Sequence, residues 1–316
     1  MPNLKVAVVG CGSRGRNHME LVSEFADADL VAICDPVQAS LDLRGEEFQV
    51  EHRFLNLDDL LNGEELDAVI TAPPAHLNAQ VALPILNRGI HTLLEKPPGL
   101  NAAETRELRD ASNASGAQAM VGWDRRFNPF ILEARRMVEE RGPVTQLVGE
   151  FHKSIHQLDR SGRFPDHLMD NMFYETPIHA LDTLRALAGS EVAEVHSVVR
   201  RATSSYRDVH GAHILFESGC VAQLTANYTT DARLERYEIH GNGISVYLEG
   251  IRQSVAYCDG DRQELKGEGP YGTKAQDRYF LDRVRDRKPV ELPAANLDEA
   301  VKTMELAEKI MDSLRE

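Results

Sequence analysis

The apolar run Leu4-Lys5-Val6-Ala7-Val8-Val9 leads directly into the glycine-rich turn Gly10-Cys11-Gly12-Ser13-Arg14-Gly15. A second apolar run, residues 30–34, ends at Asp35, which stands 25 residues after Gly10. A strand, a glycine-rich turn, a helix and a second strand that ends in an acid form the layout of a dinucleotide-binding βαβ unit. This stretch therefore predicts a nicotinamide cofactor bound where the first helix begins.

Each glycine of this turn has its own expected role. Gly10 permits the tight turn, Gly12 lets backbone N–H groups approach a pyrophosphate, and Gly15 allows close packing of helix on strand. Asp35 is expected to accept hydrogen bonds from the adenine ribose and to repel a 2′-phosphate, so that NAD is preferred over NADP. The predicted cofactor-binding residues of this region are Gly10, Cys11, Gly12, Ser13, Arg14, Gly15 and Asp35.

Bulk composition limits the function classes. The chain has 316 residues, a length that indicates two domains, and 42% hydrophobic residues, which is typical of a globular protein. Its formal net charge is −15. The negative charge argues against nucleic acid as a partner, and no apolar run is long enough to span a membrane. The N-terminal residues lead straight into a strand pattern without the charged and apolar regions of a signal peptide, and the four cysteines show no CxxC spacing. We therefore expect a cytoplasmic location, free thiols and no metal site.

The order of the apolar segments predicts the fold class. Up to residue 122, strand and helix patterns alternate, which is typical of a doubly wound parallel Rossmann sheet. Beyond it, strand patterns follow one another between tight turns such as Gly241-Asn242-Gly243, which predicts an α+β domain with a largely antiparallel open sheet. We therefore predict a dinucleotide-binding domain over residues 1–122 and a substrate-binding and oligomerisation domain over 123–316. The catalytic cleft is expected between them, where the parallel strands end.

Four further motifs follow the glycine-rich turn: residues 71–76 (TAPPAH), 93–98 (LLEKPP), 122–129 (GWDRRFNP) and 175–182 (ETPIHALD). Together and in this order they resemble the Gfo/Idh/MocA oxidoreductase family, which includes glucose–fructose oxidoreductase and inositol dehydrogenase. The resemblance extends from residue 4 to about residue 250. It implies an NAD-dependent enzyme that transfers a hydride to or from a CH–OH group.

The resemblance implies roles for single residues. Lys96 matches the active-site lysine near nicotinamide and substrate, and His179 matches the catalytic histidine that exchanges the hydroxyl proton. Glu175 takes the place of the usual aspartate four residues before this histidine, and Pro177 stands where glycine is common; both changes shift the substrate pocket. The remaining positions that the resemblance implies for the cofactor are Thr71, Pro73, His76, Glu95, Lys96, Trp123 and Arg126.

The local sequence also supports His179 as a base. Thr176 is a good N-cap and Pro177 suits the first helical position, so His179 falls in the first turn. The positive end of the helix dipole there disfavours an imidazolium and keeps a neutral base available. Asp182, three residues later on the same face, is expected to orient the ring.

A local surplus of basic residues bears on the substrate. Residues 151–167 contain Lys153, Arg160 and Arg163 in a chain that is acidic overall. Arg163 is a candidate contact for a substrate carboxylate or phosphate. A solvated loop with balanced charges explains the same residues, and the sequence leaves both interpretations open. The predicted substrate-binding residues are Lys96, Arg163, Glu175 and His179.

Three functions are compatible with these motifs. The first is an NAD-dependent dehydrogenase or reductase that acts on a secondary alcohol or ketone of a sugar, sugar derivative or cyclitol. The second is a glycosidase of the same family that uses NAD transiently, and the third is a non-catalytic regulator that senses a dinucleotide. Retention of both Lys96 and His179 favours an enzyme. A homodimer or homotetramer is expected, because one face of the second sheet would be available for self-association.

Overall fold

The computed structural model describes residues 2–162, 164–265 and 272–315. These residues form two compact units, one within Met1–Trp123 and Thr273–Lys302, the other within Asp124–Gly272 and Thr303–Glu316. Residues 273–302, which lie within the predicted second domain, group with the first unit in the structure. They do so because a short strand and a helix from this segment pack onto that unit, as described below.

The described part of the first unit contains a seven-stranded sheet. Its order is β15-β6-β5-β4-β1-β2-β3, and all pairs are parallel except β15 with β6. The central strand β1 is wholly buried at Val6, Ala7 and Val8, as expected for a sheet covered on both faces. The strands are β1 Leu4–Val9, β2 Ala28–Cys34, β3 His52–Phe54, β4 Ala68–Thr71, β5 His91–Leu94, β6 Ala119–Val121 and β15 Ala295–Asn296.

Helices connect these strands, and several have clear termini. Asn101 caps α5 by accepting a hydrogen bond from the Glu104 backbone, and Gly116 ends that helix at a φ of 76°. Helix α11 packs against α1, and α12 continues into the second unit. The helices are α1 Ser13–Glu24, α2 Gln38–Glu47, α3 Leu57–Gly63, α4 Asn78–Asn87, α5 Ala102–Ser115, α11 Thr273–Asp286 and α12 Leu297–Met311, with a 3-10 turn at Ala75–Leu77.

The second unit contains a nine-stranded sheet among its described residues. Its order is β14-β13-β12-β11-β7-β10-β9-β8-β16, and only β7 with β10 and β8 with β16 pair in parallel within the described chain. The predicted fold class is therefore confirmed. The strands are β7 Gln146–Ser154, β8 Val192–Arg200, β9 Val209–Phe216, β10 Val221–Asn227, β11 Thr229–Gly241, β12 Ile244–Glu249, β13 Gln253–Cys258, β14 Asp261–Glu264 and β16 Leu314–Arg315.

Helices α6 and α10 cover one face of this sheet. The sequence predicts an irregular stretch over residues 153–170, but the structure forms short helices there, and the Ser154 side chain caps the first of them. An apolar cluster that includes Ile155, Met169, Met172 and Tyr228 holds these short helices in place. The helices are α6 Pro129–Glu139, α7 Ile155–Arg160, α8 Asp166–Met169, α9 Met172–Glu175 and α10 Ile178–Ala188, with a 3-10 turn at Asp124–Phe127.

The other face of the second sheet alternates exposed apolar and polar side chains. The exposed apolar members are Val198, Leu215, Val221, Tyr247 and Tyr257. The strand registers place all five on the same face. No helix among the described residues combines the length and the apolarity that crossing a membrane requires.

Candidate active site

Hydrogen bonds between neighbouring strand ends bring the predicted cofactor residues of the first unit to one edge of its sheet. The Gly10 N–H donates to the Cys34 carbonyl at 2.8 Å, and the Glu95 N–H donates to the Thr71 carbonyl at 2.9 Å. The glycine-rich turn and the ends of β2, β4 and β5 therefore lie together. Ligands of doubly wound sheets bind outside this carboxyl edge.

The three glycines of the turn differ in what surrounds them. A Cβ on Gly10 would lie 2.4 Å from the Ala72 carbonyl oxygen, and Gly10 has a φ of 101°, where side chains are disfavoured. A Cβ on Gly15 would lie 1.7 Å from the Gly10 carbonyl oxygen. Around Gly12, by contrast, no heavy atom of the described chain lies within 4 Å of the Cβ position. Gly10 and Gly15 are required by packing, while Gly12 faces open space beside the first turn of α1.

Asp35 connects the second strand to the glycine-rich turn. Its carboxylate accepts hydrogen bonds from the backbone N–H of Cys11 at 2.7 Å and of Val37 at 2.9 Å. A cation that the sequence analysis did not consider, Arg44, donates to the Cys11 carbonyl at 3.4 Å. Glu47 pairs with this guanidinium and offsets its charge. Asp35 thus contributes its negative charge where an adenine ribose is expected.

The Cys11 thiol in the middle of the turn is unreactive at neutral pH. Burial, with a smaller contribution from the Asp35 charge, raises the pKa of Cys11 to about 12. All four cysteines among the described residues are free. A small buried side chain at this position therefore serves packing and keeps the turn uncharged.

Glu95 at the end of β5 lies in a buried ionic network. Its Oε1 accepts from Arg14 Nε at 2.5 Å and faces His18 Nε2 at 3.0 Å. His18 Nδ1 in turn faces the Asp277 carboxylate at 2.6 Å. Burial alone would raise the pKa of Glu95, but the charges of Arg14, His18 and Lys96 lower it well below its usual range. Glu95 is therefore a permanent anion that joins the glycine-rich turn to the Lys96 segment.

Asn78, which the sequence analysis missed, holds the turn that carries Lys96. Its side-chain amide donates to the carbonyls of Glu95 at 3.0 Å and Pro97 at 2.6 Å. Lys96 lies between these two carbonyls, half-buried, and its peptide bond to Pro97 is cis. Two fixed carbonyls on either side of Lys96 restrict where its backbone lies.

The other predicted cofactor residues of this unit follow β4 and β6. Thr71 is buried at the end of β4, and its Oγ1 has no hydrogen-bond partner among the described residues. Pro73 abuts the glycine-rich turn, with its nitrogen 3.0 Å from the Gly10 Cβ position. His76 is half-buried in the following 3-10 turn, and Trp123 is buried two residues after the end of β6.

These features fit a dinucleotide. The open space at Gly12 leaves room for a phosphate at the start of a helix, where backbone N–H groups favour an anion. Asp35 supplies an acceptor for ribose hydroxyls, and the buried Thr71 hydroxyl offers a hydrogen bond that the described chain does not use. The first unit thus carries a donor and acceptor set suited to NAD.

In the second unit, His179 lies in the first turn of α10, as predicted. Its backbone N–H donates to the Thr176 carbonyl at 3.0 Å, and its side chain is buried. The predicted cap is wrong: Pro177 occupies the N-cap position without a side-chain hydrogen bond. The Thr176 hydroxyl instead accepts a hydrogen bond from Lys153 at 2.7 Å.

The carboxylate beside the His179 ring is Asp124, not Asp182. His179 Nδ1 lies 4.0 Å from Asp124 Oδ1. Asp182 accepts two hydrogen bonds of 2.8 Å from Arg126 and a third from the Thr303 hydroxyl. Asp182 and Arg126 are both buried in this ion pair. The Arg126 guanidinium, which was predicted to touch cofactor or substrate, therefore binds a carboxylate of the protein itself.

A second buried ion pair fixes Asp124. Arg125 donates to Asp124 at 2.7 Å and makes two hydrogen bonds of 2.9 Å to Glu235. Burial alone would lower the pKa of Arg125, but Asp124 and Glu235 raise it well above its usual value. Arg233 lies 3.3 Å from the same Glu235 carboxylate, so two cations balance two anions, and the network holds the Asp124 carboxylate in place near His179.

Glu175 lies half-buried at the end of α9. Its carboxylate bonds the Thr176 hydroxyl and lies 3.5 Å from Lys153 Nζ. The ammonium of Lys153 therefore compensates the charge of Glu175. Arg163, the predicted anion contact, lies outside the described residues.

Comparison with known families identifies the chain. The family model described as "Oxidoreductase family, NAD-binding Rossmann fold" matches residues 4–123. The model described as "GFO/IDH/MocA C-terminal domain" matches residues 131–246, and the two together cover more than half of the chain. The protein is thus an NAD(P)-dependent oxidoreductase. It belongs to the Gfo/Idh/MocA family.

Individual relatives agree with this assignment. The chain is 25% identical over 295 residues to scyllo-inositol 2-dehydrogenase (NAD(+)) of Bacillus subtilis, covering 88% of this chain and 84% of the relative. It is 24% identical over 306 residues to myo-inositol 2-dehydrogenase of Thermotoga maritima, covering 92% and 86%. The fold matches the solved structure of UDP-N-acetylglucosamine 3-dehydrogenase from Acidithiobacillus ferrooxidans, with a TM-score of 0.84, 22% identity and coverage of 99% and 98%.

The glycine-rich turn yields a paired prediction. Gly12→Ala adds a methyl group to open space at a φ of −70°, so we expect unchanged thermal stability but NAD affinity weaker by about tenfold. Gly15→Ala forces a methyl group into the Gly10 carbonyl, so we expect a loss of stability of about 1–3 kcal/mol. Thermal unfolding and NADH fluorescence titration measure both. Unimpaired NAD binding by folded Gly12→Ala would contradict a phosphate site at this turn.

Proposed function

We propose that this protein is an NAD-dependent dehydrogenase that oxidises a secondary alcohol of a sugar, sugar derivative or cyclitol, or reduces the corresponding ketone. The observation that carries the proposal is His179, a buried histidine in the first turn of α10 with the Asp124 carboxylate 4.0 Å from its ring. A buried imidazole beside an anion can accept a proton and stabilise the resulting cation. The two inositol dehydrogenase relatives support the same substrate class.

Each candidate residue has its own proposed role at the reacting hydroxyl group. His179 takes the hydroxyl proton during oxidation and returns it during reduction, while Asp124 stabilises the imidazolium. Lys96 donates a hydrogen bond to the same oxygen and stabilises its developing negative charge. Glu175, braced by Lys153 and Thr176, accepts hydrogen bonds from neighbouring substrate hydroxyls. NAD, when bound, supplies the acceptor or donor of the hydride.

The charge balance around Glu175 supports a neutral substrate. The Lys153 ammonium lies 3.5 Å from the Glu175 carboxylate, so its charge is compensated within the protein. A free polyol suits this pair, because its hydroxyls donate to one partner and accept from the other. The role of Arg163 toward a substrate carboxylate or phosphate stays a prediction. Equal losses on charged and neutral polyols in Arg163→Ala would argue against it.

Substitution of the two proposed catalytic residues tests the mechanism. Lys96→Met and His179→Ala should each lower kcat by about 10²–10⁴-fold while NAD affinity changes by less than about threefold. The exposed Lys309→Met and His196→Ala serve as matched controls and should keep wild-type turnover. NADH absorbance with a panel of inositols, aldoses and other polyols measures the rate. Wild-type turnover in either catalytic variant would remove that residue from the mechanism.

The same assay separates the alternative functions. A dehydrogenase produces NADH in proportion to the polyol consumed. A glycosidase that uses NAD transiently would instead cleave a glycoside without net NADH, and a sensor would bind NAD without turning over any member of the panel. Either of these outcomes would contradict the proposed reaction.

Cofactor preference depends on the charge of Asp35. We expect the wild-type protein to bind NADH more tightly than NADPH, because the carboxylate would repel a ribose 2′-phosphate. Asp35→Asn removes the charge and keeps one oxygen for the Cys11 N–H, while the Val37 N–H loses its acceptor, so the preference should shrink by about tenfold at a cost of about 1 kcal/mol in stability. Fluorescence titration with both cofactors measures this, and tighter binding of NADPH by the wild-type protein would overturn the assignment.

Self-association through the exposed face of the second sheet is also proposed. Val198, Leu215, Val221, Tyr247 and Tyr257 give this face an apolar component, while α6 and α10 cover the opposite face. Light scattering of the purified protein should give the mass of a dimer or tetramer, and Leu215→Glu should lower it. A wild-type monomer at micromolar concentration would contradict the proposal. The cytoplasmic location stays a prediction.

A further inference from the structure

His18 is a polar residue on the buried face of a helix. The buried residues of α1 are Gly15, His18, Met19 and Val22, a spacing that turns one helix face toward the core. The side chain of His18 is wholly buried, and each ring nitrogen faces a carboxylate: Nδ1 faces Asp277 at 2.6 Å and Nε2 faces Glu95 at 3.0 Å. The resemblance and the comparisons assign no role to His18 or Asp277.

The geometry around His18 favours a protonated ring. A neutral imidazole has one N–H donor, so one of its nitrogens would direct a lone pair at a carboxylate oxygen. An imidazolium donates to both carboxylates. Glu95 also pairs with Arg14, whereas the wholly buried Asp277 pairs with no cation among the described residues except His18. A neutral ring would therefore leave the buried Asp277 carboxylate without a compensating positive charge.

The surrounding groups act in the same direction. Burial lowers the pKa of His18, but Asp277 on α11 and Glu95 at the end of β5 outweigh it and raise the pKa to about 9. Arg14, on the same helix as His18, bonds the same Glu95 oxygen, and Lys96 acts on Glu95 from the next position in the chain. The ring is therefore held as a cation across the neutral pH range.

Glu95 transmits this arrangement to two parts of the active site. Its Oε1 accepts from Arg14 of the glycine-rich turn, and its Oε2 lies 3.3 Å from the backbone nitrogen of Lys96. The Asp277–His18–Glu95 series thus extends from α11 through α1 to the turn that carries Lys96. We propose that His18 and Asp277 are positioning residues that fix Glu95, and through it Lys96 and Arg14, in their productive orientation. This inference rests on the proposed role of Lys96 in catalysis.

Two isosteric or near-isosteric variants test the proposal. Asp277→Asn and His18→Gln keep hydrogen-bonding groups in place but remove one charge each. We expect kcat to fall at least tenfold with little change in the KM of the polyol. NAD affinity should fall severalfold, because Glu95, the partner of Arg14, is no longer held in one position. The double variant should be no worse than the more damaged single one, since both residues act through one series. Unchanged kcat and NAD affinity in both folded variants would overturn the proposal.

A matched histidine–carboxylate pair serves as control. His196 lies 3.6 Å from Glu194 on β8, and both side chains are largely exposed. His196→Gln removes a comparable pair from a surface site and should leave kcat and NAD affinity at wild-type values. A loss as large as that of His18→Gln would show that the assay responds to histidine substitution in general, and it would count against the proposal.

The ionisation state of His18 gives a readout that a purely structural role would not change. In ¹⁵N-histidine NMR of the wild-type protein, one imidazolium signal should persist at pH 8, be absent in His18→Gln and titrate at lower pH in Asp277→Asn. A neutral His18 at pH 7 would overturn the proposal. The first part of this measurement needs only the wild-type protein: a spectrum at pH 8 without any imidazolium signal would overturn the proposal even if a variant fails to fold.

The pH dependence of thermal stability provides a further test of a protonated His18. Because the pKa of His18 is raised from 6.5 to about 9, its stabilisation is fully present below pH 6.5 and is lost as the pH rises through about 9. The Tm difference between wild type and His18→Gln should therefore shrink across this window. A Tm difference that stays constant with pH would contradict a protonated His18.

Failure of the inference can be told apart from failure of the proposed function. If Lys96→Met is inactive while His18→Gln and Asp277→Asn both turn over normally, the proposed role of the Asp277–His18–Glu95 series is wrong and the proposed mechanism stands. If Lys96→Met is active, the mechanism is wrong, and the imidazolium signal and the NAD affinity of the variants still decide whether the series fixes Glu95 and Arg14.

Discussion

The close approach of two backbone segments constrains the whole cofactor side of this protein. Gly10 lies so near the Ala72 carbonyl, and Gly15 so near the Gly10 carbonyl, that neither position has room for a methyl group. This contact brings the start of α1 against the ends of β1 and β4. It places the N-terminus of the helix, Asp35 and the Lys96 turn along one edge of a single sheet. A side chain at either glycine would separate groups whose chemistry depends on their being together.

Buried charges in both units are compensated by partners that, apart from Asp124 beside Arg125, are distant in sequence. Arg126 pairs with Asp182, Arg125 with Asp124 and Glu235, and His18 with Glu95 and Asp277. Ion pairs of this kind contribute little net stability, because the cost of desolvation offsets their attraction. Their effect is to specify orientation, since removal of one partner leaves a buried charge. The two candidate catalytic groups thus depend on networks that tolerate few alternative geometries.

The sequence predicts the secondary-structure elements well and the hydrogen-bond partners of the side chains poorly. The apolar runs and glycine positions predicted the parallel sheet, the largely antiparallel sheet and the position of His179 in the first turn of α10, because these depend on local periodicity. The capping role of Thr176 and the partner of Asp182 were predicted incorrectly, because Lys153 and Arg126 reach them only in the folded chain. His18 and Asp277 gave a usable signal: each is a polar residue on the buried stripe of an amphipathic helix. Asn78 also lies on the buried stripe of its helix, but it is the first residue of α4, where an asparagine is expected to cap, and the two carbonyls that it holds become neighbours only in the folded chain.

The return of the C-terminal segment to the first sheet has a consequence for biosynthesis. Strand β15 pairs with the edge strand β6, and α11 delivers Asp277 to His18. A nascent polypeptide that has emerged only as far as residue 272 lacks both, so its nucleotide-binding half retains an open sheet edge and an unbalanced buried cluster. The ribosome must therefore translate nearly the entire message before this half can complete its folding, although most of its residues are made first.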